Sequence, residues 1–156
     1  MPISKIVQDS INGGVAGSGP AFSAWKSSNQ SITSNTFTKV TFDTEEFDTN
    51  NNFTSSTFTP TVAGYYQVNS ACDLFASVGT GTRTSIRLYK NGSFFKAGNE
   101  VQILNTAEMS CLLNVLVYMN GTTDYLEVYA LMNATSPLVA GAQTITYFQA
   151  CLVRGA

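Results

Sequence analysis

From Ala21 onward, apolar and polar side chains alternate with a period of two. Val40 and Phe42 share one face of the run 37–42. The run 85–89 alternates Ile86 and Leu88 with Ser85, Arg87 and Tyr89. The run 125–131 places Leu126, Val128 and Ala130 on one face and Tyr125, Glu127 and Tyr129 on the other. Successive side chains of a strand point to opposite sides of its sheet, so this period predicts strands with one face in a core. No segment has helical spacing introduced by a capping box. The turn residues fit the same reading. Asn91-Gly92 separates two alternating runs, and a tight hairpin turn of type I′ needs positive φ at both central residues. Asn120-Gly121 predicts a second such turn, and Pro60 stops the ladder at Phe58-Thr59. The pattern predicts an all-β chain of eight to ten short strands, in an antiparallel sandwich or jelly roll.

Two segments break the alternation. Residues 112–119 and 147–153 are apolar on both faces. A sandwich strand with one wet face should alternate, so these strands should offer Tyr118, Phe148 or their neighbours to a partner. A contiguous exposed apolar patch of this kind marks an interface, and a second copy is the simplest cover. The candidate contact residues are Tyr118, Tyr125, Tyr129 and Phe148.

Residues 1–20 have a different character. Ile3, Ile6, Val7 and Ile11 precede Asn12-Gly13-Gly14-Val15-Ala16-Gly17-Ser18-Gly19-Pro20, a glycine-rich linker. The expected organisation is an N-terminal docking peptide and linker over 1–20, with Ile3, Ile6, Val7 and Ile11 as its docking residues. A single domain follows over 21–156. The opening residues carry no secretory pattern, and no apolar run approaches the length of a membrane span.

Composition then limits the chemistry. The chain has 156 residues, 8 Lys+Arg, 10 Asp+Glu and no His, for a net charge of −2. Without His there is no Ser-His-Asp or Cys-His nucleophile and no His-ligated zinc. The few basic residues give no electrostatic footprint for nucleic acid. Cys72, Cys111 and Cys151 form no ligand spacing and read as three small buried hydrophobes. Glu45, Glu46 and Asp48 are the one acidic cluster, and they read as a solvated turn between strands rather than an acid–base pair or a cation site. Trp25 is read as a core or contact residue ahead of a sugar-stacking one. No enzyme, cofactor or metal site is expected. Recognition is left to loops at 77–83, 97–108 and 133–143.

These residues resemble a known family. Phe42, Asp48 and Phe53, followed by Phe58-Thr59-Pro60-Thr61-Val62-Ala63-Gly64-Tyr65-Tyr66, resemble the first half of a C1q-like domain of the C1q/tumour-necrosis-factor superfamily, with Pro60 one position early. Ile86-Arg87-Leu88-Tyr89-Lys90-Asn91-Gly92 is similar to that family's strand ending in Lys-Asn-Gly. Residues 112–128, with the turn Gly121-Thr122-Thr123-Asp124, resemble its leucine-rich strand, turn and following strand. Phe148-Gln149-Ala150-Cys151-Leu152-Val153 resembles its closing strand, with Ala150 and Cys151 in place of the usual Gly and Phe. The resemblance spans about residues 21–154 and implies a ten-stranded jelly roll that is homotrimeric about a three-fold axis. The Ser/Thr/Asn-rich, Lys-poor style and the opening Ile3-Ser4-Lys5-Ile6-Val7 resemble C1q-like proteins of tailed bacteriophages and cyanophages. That implies a virion component made in the host cytoplasm: a tail-fibre or appendage tip that binds the host surface, or a decoration or cement protein on the capsid. A free carbohydrate-binding module of the same fold is the further alternative. The implied partners are two further copies, other virion proteins met through residues 1–20, and a host surface glycan, without nucleic acid or membrane insertion.

Overall fold

A computed structural model describes residues 19–77, 82–103 and 108–156. The docking residues Ile3, Ile6, Val7 and Ile11 lie outside the described residues. The described residues contain no helix. In chain order the strands are β1 (Ala21–Trp25), β2 (Gln30–Ser31), β3 (Thr38–Lys39), β4 (Thr44–Asp48), β5 (Phe53–Thr54), β6 (Thr57–Phe58) and β7 (Gly64–Ser77). They continue with β8 (Thr82–Lys90), β9 (Ser93–Ile103), β10 (Glu108–Met119), β11 (Leu126–Met132), β12 (Thr135–Val139) and β13 (Tyr147–Gly155). Thirteen segments thus stand among the described residues where the sequence predicts at most ten. The surplus lies in β2, β3, β5 and β6, each only 2 residues long and too short to show a period.

Every pairing is antiparallel, and the strands form two sheets. The first sheet runs β10–β7–β13–β1–β4. The long strand β7 pairs with β10 on one side; on the other it pairs first with β13 and then with β12, whose outer neighbour is β2. The second sheet runs β5–β6–β11–β8–β9, with β3 also on β11. Sheet-on-sheet packing of this kind is the jelly-roll sandwich that the pattern predicts.

The core lies between the sheets and follows the strand period. β7 sends in Tyr66, Val68, Cys72 and Leu74; β10 sends in Cys111, Leu113, Val117 and Met119. The second sheet answers with Ile86 and Leu88 from β8, and with Leu126, Val128, Ala130 and Met132 from β11. Aromatic rings fill one end. The Phe22 ring stacks on Phe53 at 4.6 Å and Phe58 at 4.5 Å, and meets the Phe148 ring edge-on at 4.9 Å. Such pairs add to what area burial alone supplies. Buried Pro20 accepts a hydrogen bond from the Leu152 N–H at 3.0 Å, so the chain is already tied to the sheet one residue ahead of the expected boundary.

Asn91-Gly92 and Asn120-Gly121 both make turns, but of different kinds. Asn91 (φ 54°) and Gly92 (φ 74°) join β8 to β9 with Lys90 opposite Ser93, the tight hairpin expected. Asn120-Gly121 instead opens a longer crossing from β10 in the first sheet to β11 in the second. There the Asn120 side-chain carbonyl accepts the N–H groups of Thr122, Thr123 and Asp124 at 2.9–3.0 Å. That carbonyl holds the corner where the chain changes sheets.

Candidate functional site: the two outer faces of the sandwich

The outer face of the first sheet is built by the residues that alternate with the core. Across β1, β13, β7 and β10 the register sets them in rows: Ala21, Cys151, Gln67, Leu116; then Ser23, Gln149, Asn69, Asn114; then Trp25, Tyr147, Ala71, Leu112. At one end Tyr65 and Tyr118 stand opposite each other, with ring centroids 5.5 Å apart. Leu112 and Leu116 are each 56% exposed, and Tyr65, Tyr118 and Val153 are also exposed. Tyr65, Leu116, Tyr118 and Val153 line one shallow groove with the C-terminal residues. A polar row therefore crosses an apolar face, and within that patch the Gln67 side-chain N–H donates to the Asn114 carbonyl at 2.5 Å. Strand β10 is greasy on both sides, as its sequence indicates: Cys111, Leu113 and Val117 are inside, Leu112, Leu116 and Tyr118 outside.

The four residues picked from sequence as contacts do not come together. Tyr118 lies on this face. Phe148 does not: it is 0% exposed, packed against Phe22 and Phe42 in the core. In β13 it is Phe148 and Ala150 that turn inward, which leaves Tyr147, Gln149, Cys151 and Val153 on the outer side. Tyr129 belongs to the second sheet, stacked on Tyr89 at 4.0 Å, and Tyr125 sits in the turn before β11, where its N–H donates to the Asn91 side-chain Oδ1 at 2.9 Å. The residues that accompany Tyr118 are Leu112, Leu116, Tyr65 and Val153. Leu112 and Leu116 stood in the sequence as the other half of the β10 alternation; Tyr65 and Val153 reach the face only through register.

Several other expectations need correcting. Glu45, Glu46 and Asp48 are not in a turn but in β4, the edge strand paired with β1. Charged side chains suit an edge that must not recruit another strand. Ser23 donates to Glu46 at 3.0 Å, and Asp48 accepts the Phe53 N–H at 2.7 Å, so the cluster is divided among separate structural tasks. Of the expected recognition loops, 97–103 lies in β9 and 135–139 in β12, while 78–81 and 104–107 fall outside the described residues. Cys72 and Cys111 are buried and directly opposed across β7 and β10, but Cys151 is exposed on the outer face, so the third cysteine is not a core residue. Burial pushes the thiols of Cys72 and Cys111 up, which keeps them protonated and poorly nucleophilic. Trp25 is half-buried on the outer side of β1, beside Tyr147. The two line a groove of about 280 Å³ with Ser23, Glu46, Gln143, Thr144 and Gln149.

Charged groups elsewhere hold structure. Lys26 is buried and bonds to Asp43. Burial raises the Asp43 carboxyl, but the hydrogen bonds from Lys26 and from the Ser27 N–H outweigh it and bring its pKa from 3.8 to about 2. Lys90 reaches Asp124 at 2.8 Å; burial opposes ionisation there too, yet the bonds from Asn91 and Lys90 hold that carboxyl low. Among the described residues no group of three or more His, Cys, Asp or Glu is placed to hold a metal ion.

The outer face of the second sheet carries a cluster that the sequence reading does not single out. Lys39, Tyr129, Arg87 and Ala97 form one row across β3, β11, β8 and β9, and Glu127, Tyr89 and Phe94 form the next. Lys39 bonds to Glu127 and Thr57 at 2.7 Å. The Arg87 guanidinium carbon lies 3.8 Å from the centre of the Phe37 ring and 4.5 Å from that of Phe94.

Comparison with solved structures defines the fold. The globular domain of zebrafish complement 1qA superposes with a TM-score of 0.65 at 15% identity, covering 88% of this chain and 99% of that one. Murine APRIL gives 0.63 at 12% identity over 86% of this chain and 99% of that one. The Eiger TNF of S. frugiperda gives 0.62 at 9% identity over 88% and 95%. The chain has a C1q/TNF-like jelly-roll fold. No protein-family model and no curated protein sequence matches it.

Proposed function

We propose that this chain is a self-associating, non-enzymatic binding knob, displayed as a homotrimer on a tailed-phage particle and turned toward the host surface. The observation that carries the reading is the exposed band of Leu112, Leu116, Tyr118, Tyr65 and Val153 on the first sheet. Covering such a side chain fully is worth about 1.5–3 kcal/mol, and a second copy brings the same surface. Three-fold assembly is what the C1q resemblance implies. The phage setting is supported by the Ser/Thr/Asn-rich, Lys-poor composition and by the aliphatic opening segment ahead of its glycine linker. In this reading residues 1–20, through Ile3, Ile6, Val7 and Ile11, fasten the knob to other virion proteins.

Light scattering on the size-fractionated protein tests the assembly. The expected mass is that of three chains, and Leu116→Lys, which puts a charge into the band, is expected to give single folded chains. Deleting residues 1–18, which stops short of the Pro20 contact, should leave the trimer intact and abolish incorporation into particles. Truncated protein that still joins particles would refute the tether. Particles that lack the protein and burst on mild heating while still adsorbing to cells would move the assignment to capsid cement.

A further inference from the structure

The outer face of the second sheet holds a cation without a counter-charge. Of the described basic residues, Lys26, Lys39, Arg83 and Lys90 each have a carboxylate partner. Arg87 has none. The two acids on its own face are engaged elsewhere, Glu127 with Lys39 and Glu100 with Arg83. Lys96 and Arg154 also lack a carboxylate among the described residues, but Lys96 stands opposite the buried Leu88, off Arg87's row, and Arg154 belongs to the other sheet.

The guanidinium is also held in a defined place. The Phe37 and Phe94 rings pack at 3.8 and 4.5 Å from its central carbon, and its Nε is buried without an acceptor. Stacking against rings lowers hydration of the cation's faces, and the in-plane N–H edge of a guanidinium is the edge that grips a carboxylate through two parallel bonds. Around it the surface is flat and aromatic. Phe94 is 52% exposed, and the Tyr89–Tyr129 pair lies next to it. The Tyr129 hydroxyl makes only a 3.5 Å contact to Glu127 Oε2, so both atoms keep capacity for a ligand hydroxyl.

We propose that Arg87, with Phe94, Tyr89 and Tyr129, forms a binding site for an acidic saccharide, in which Arg87 takes a ring carboxylate and the aromatic side chains take the apolar face of the sugar. A charge-seeking cation beside exposed rings and half-used hydroxyl partners matches a ligand that joins a carboxylate, a flat C–H face and hydroxyls in one ring. The proposal deepens the host-surface reading and rests on it for its setting. It stands on the sheet opposite the self-association band, so loss of the trimer and loss of the ligand are separate results.

Calorimetric titration of the full-length protein with oligogalacturonate tests it, with a neutral maltooligosaccharide and an oligo-aspartate peptide as comparators. Saturable binding of the uronate is expected, weaker by about tenfold in Arg87→Gln and several-fold in Arg87→Lys, which keeps the charge but loses the planar stack. Phe94→Ala, at an exposed position that the fold does not need, should weaken it by about threefold or more. The neutral oligosaccharide should bind about tenfold more weakly than the uronate, and added salt should weaken the uronate. Absence of uronate binding, or uronate binding unchanged in both Arg87→Gln and Phe94→Ala, overturns the site. Preference for the oligo-aspartate over the uronate overturns the saccharide assignment and makes the site one for acidic peptides.

Discussion

At the scale of single residues, the same kind of side chain does opposite work according to which way its strand turns it. Phe148 and Leu116 are both large and apolar, yet one is fully buried and the other 56% exposed. Phe148→Ala removes a ring from the cluster with Phe22 and Phe42 and is expected to cost about 3–5 kcal/mol of folding stability in urea titration. Cutting Leu116 back should scarcely change the fold of a single chain. The Lys26–Asp43 pair gives a pH signature. Because the folded pKa of Asp43 is depressed from 3.8 to about 2, its contribution is complete above pH 4 and is lost as the pH falls toward 2. Asp43→Asn should therefore lose about 1–2 kcal/mol at neutral pH, reduced by the partial exposure of the carboxylate, and the gap to the parent should close across that acid range. A gap independent of pH would place its origin outside the ion pair.

At the scale of strands and turns, the sequence was most legible where alternation was strict. Strands β8 and β11 appear at the positions that Ile86/Leu88 and Leu126/Val128/Ala130 indicate, and Asn91-Gly92 forms the turn its residue types require. Gly92→Ala would force a side chain into φ +74° and is expected to lower stability by about 1–2 kcal/mol, measured as a shift in the urea midpoint. Legibility failed where both parities are apolar. In 147–153 nothing in the pattern says whether Phe148 or Tyr147 faces inward; pairing with β1 and β7 decides it. It failed again at β4, whose Glu and Asp have low strand propensity but sit well on a sheet edge. Asn120-Gly121 shows the opposite error. A strong local turn signal was present, but it could not reveal that the next strand belongs to the other sheet.

At the scale of the whole molecule, the fold makes two outer faces of different character from one chain. One carries an apolar band broken by a row of amides and Ser23; the other carries paired charges, stacked rings and the unpaired Arg87. Neither face could be assembled from sequence. The Leu116 and Tyr65 positions are brought together by the pairing of β7 with β10, and Phe37, Arg87 and Phe94 come from three separate segments. What the sequence did carry was the double-sided greasiness of 112–119, on which the proposed self-association rests. The most direct test is the mass in solution of the parent chain beside Leu116→Lys. Three chains for the parent and one folded chain for the variant is the outcome this account requires. A parent that runs as a single, well-dissolved chain at every concentration, with Leu112 and Leu116 open to water, would contradict it.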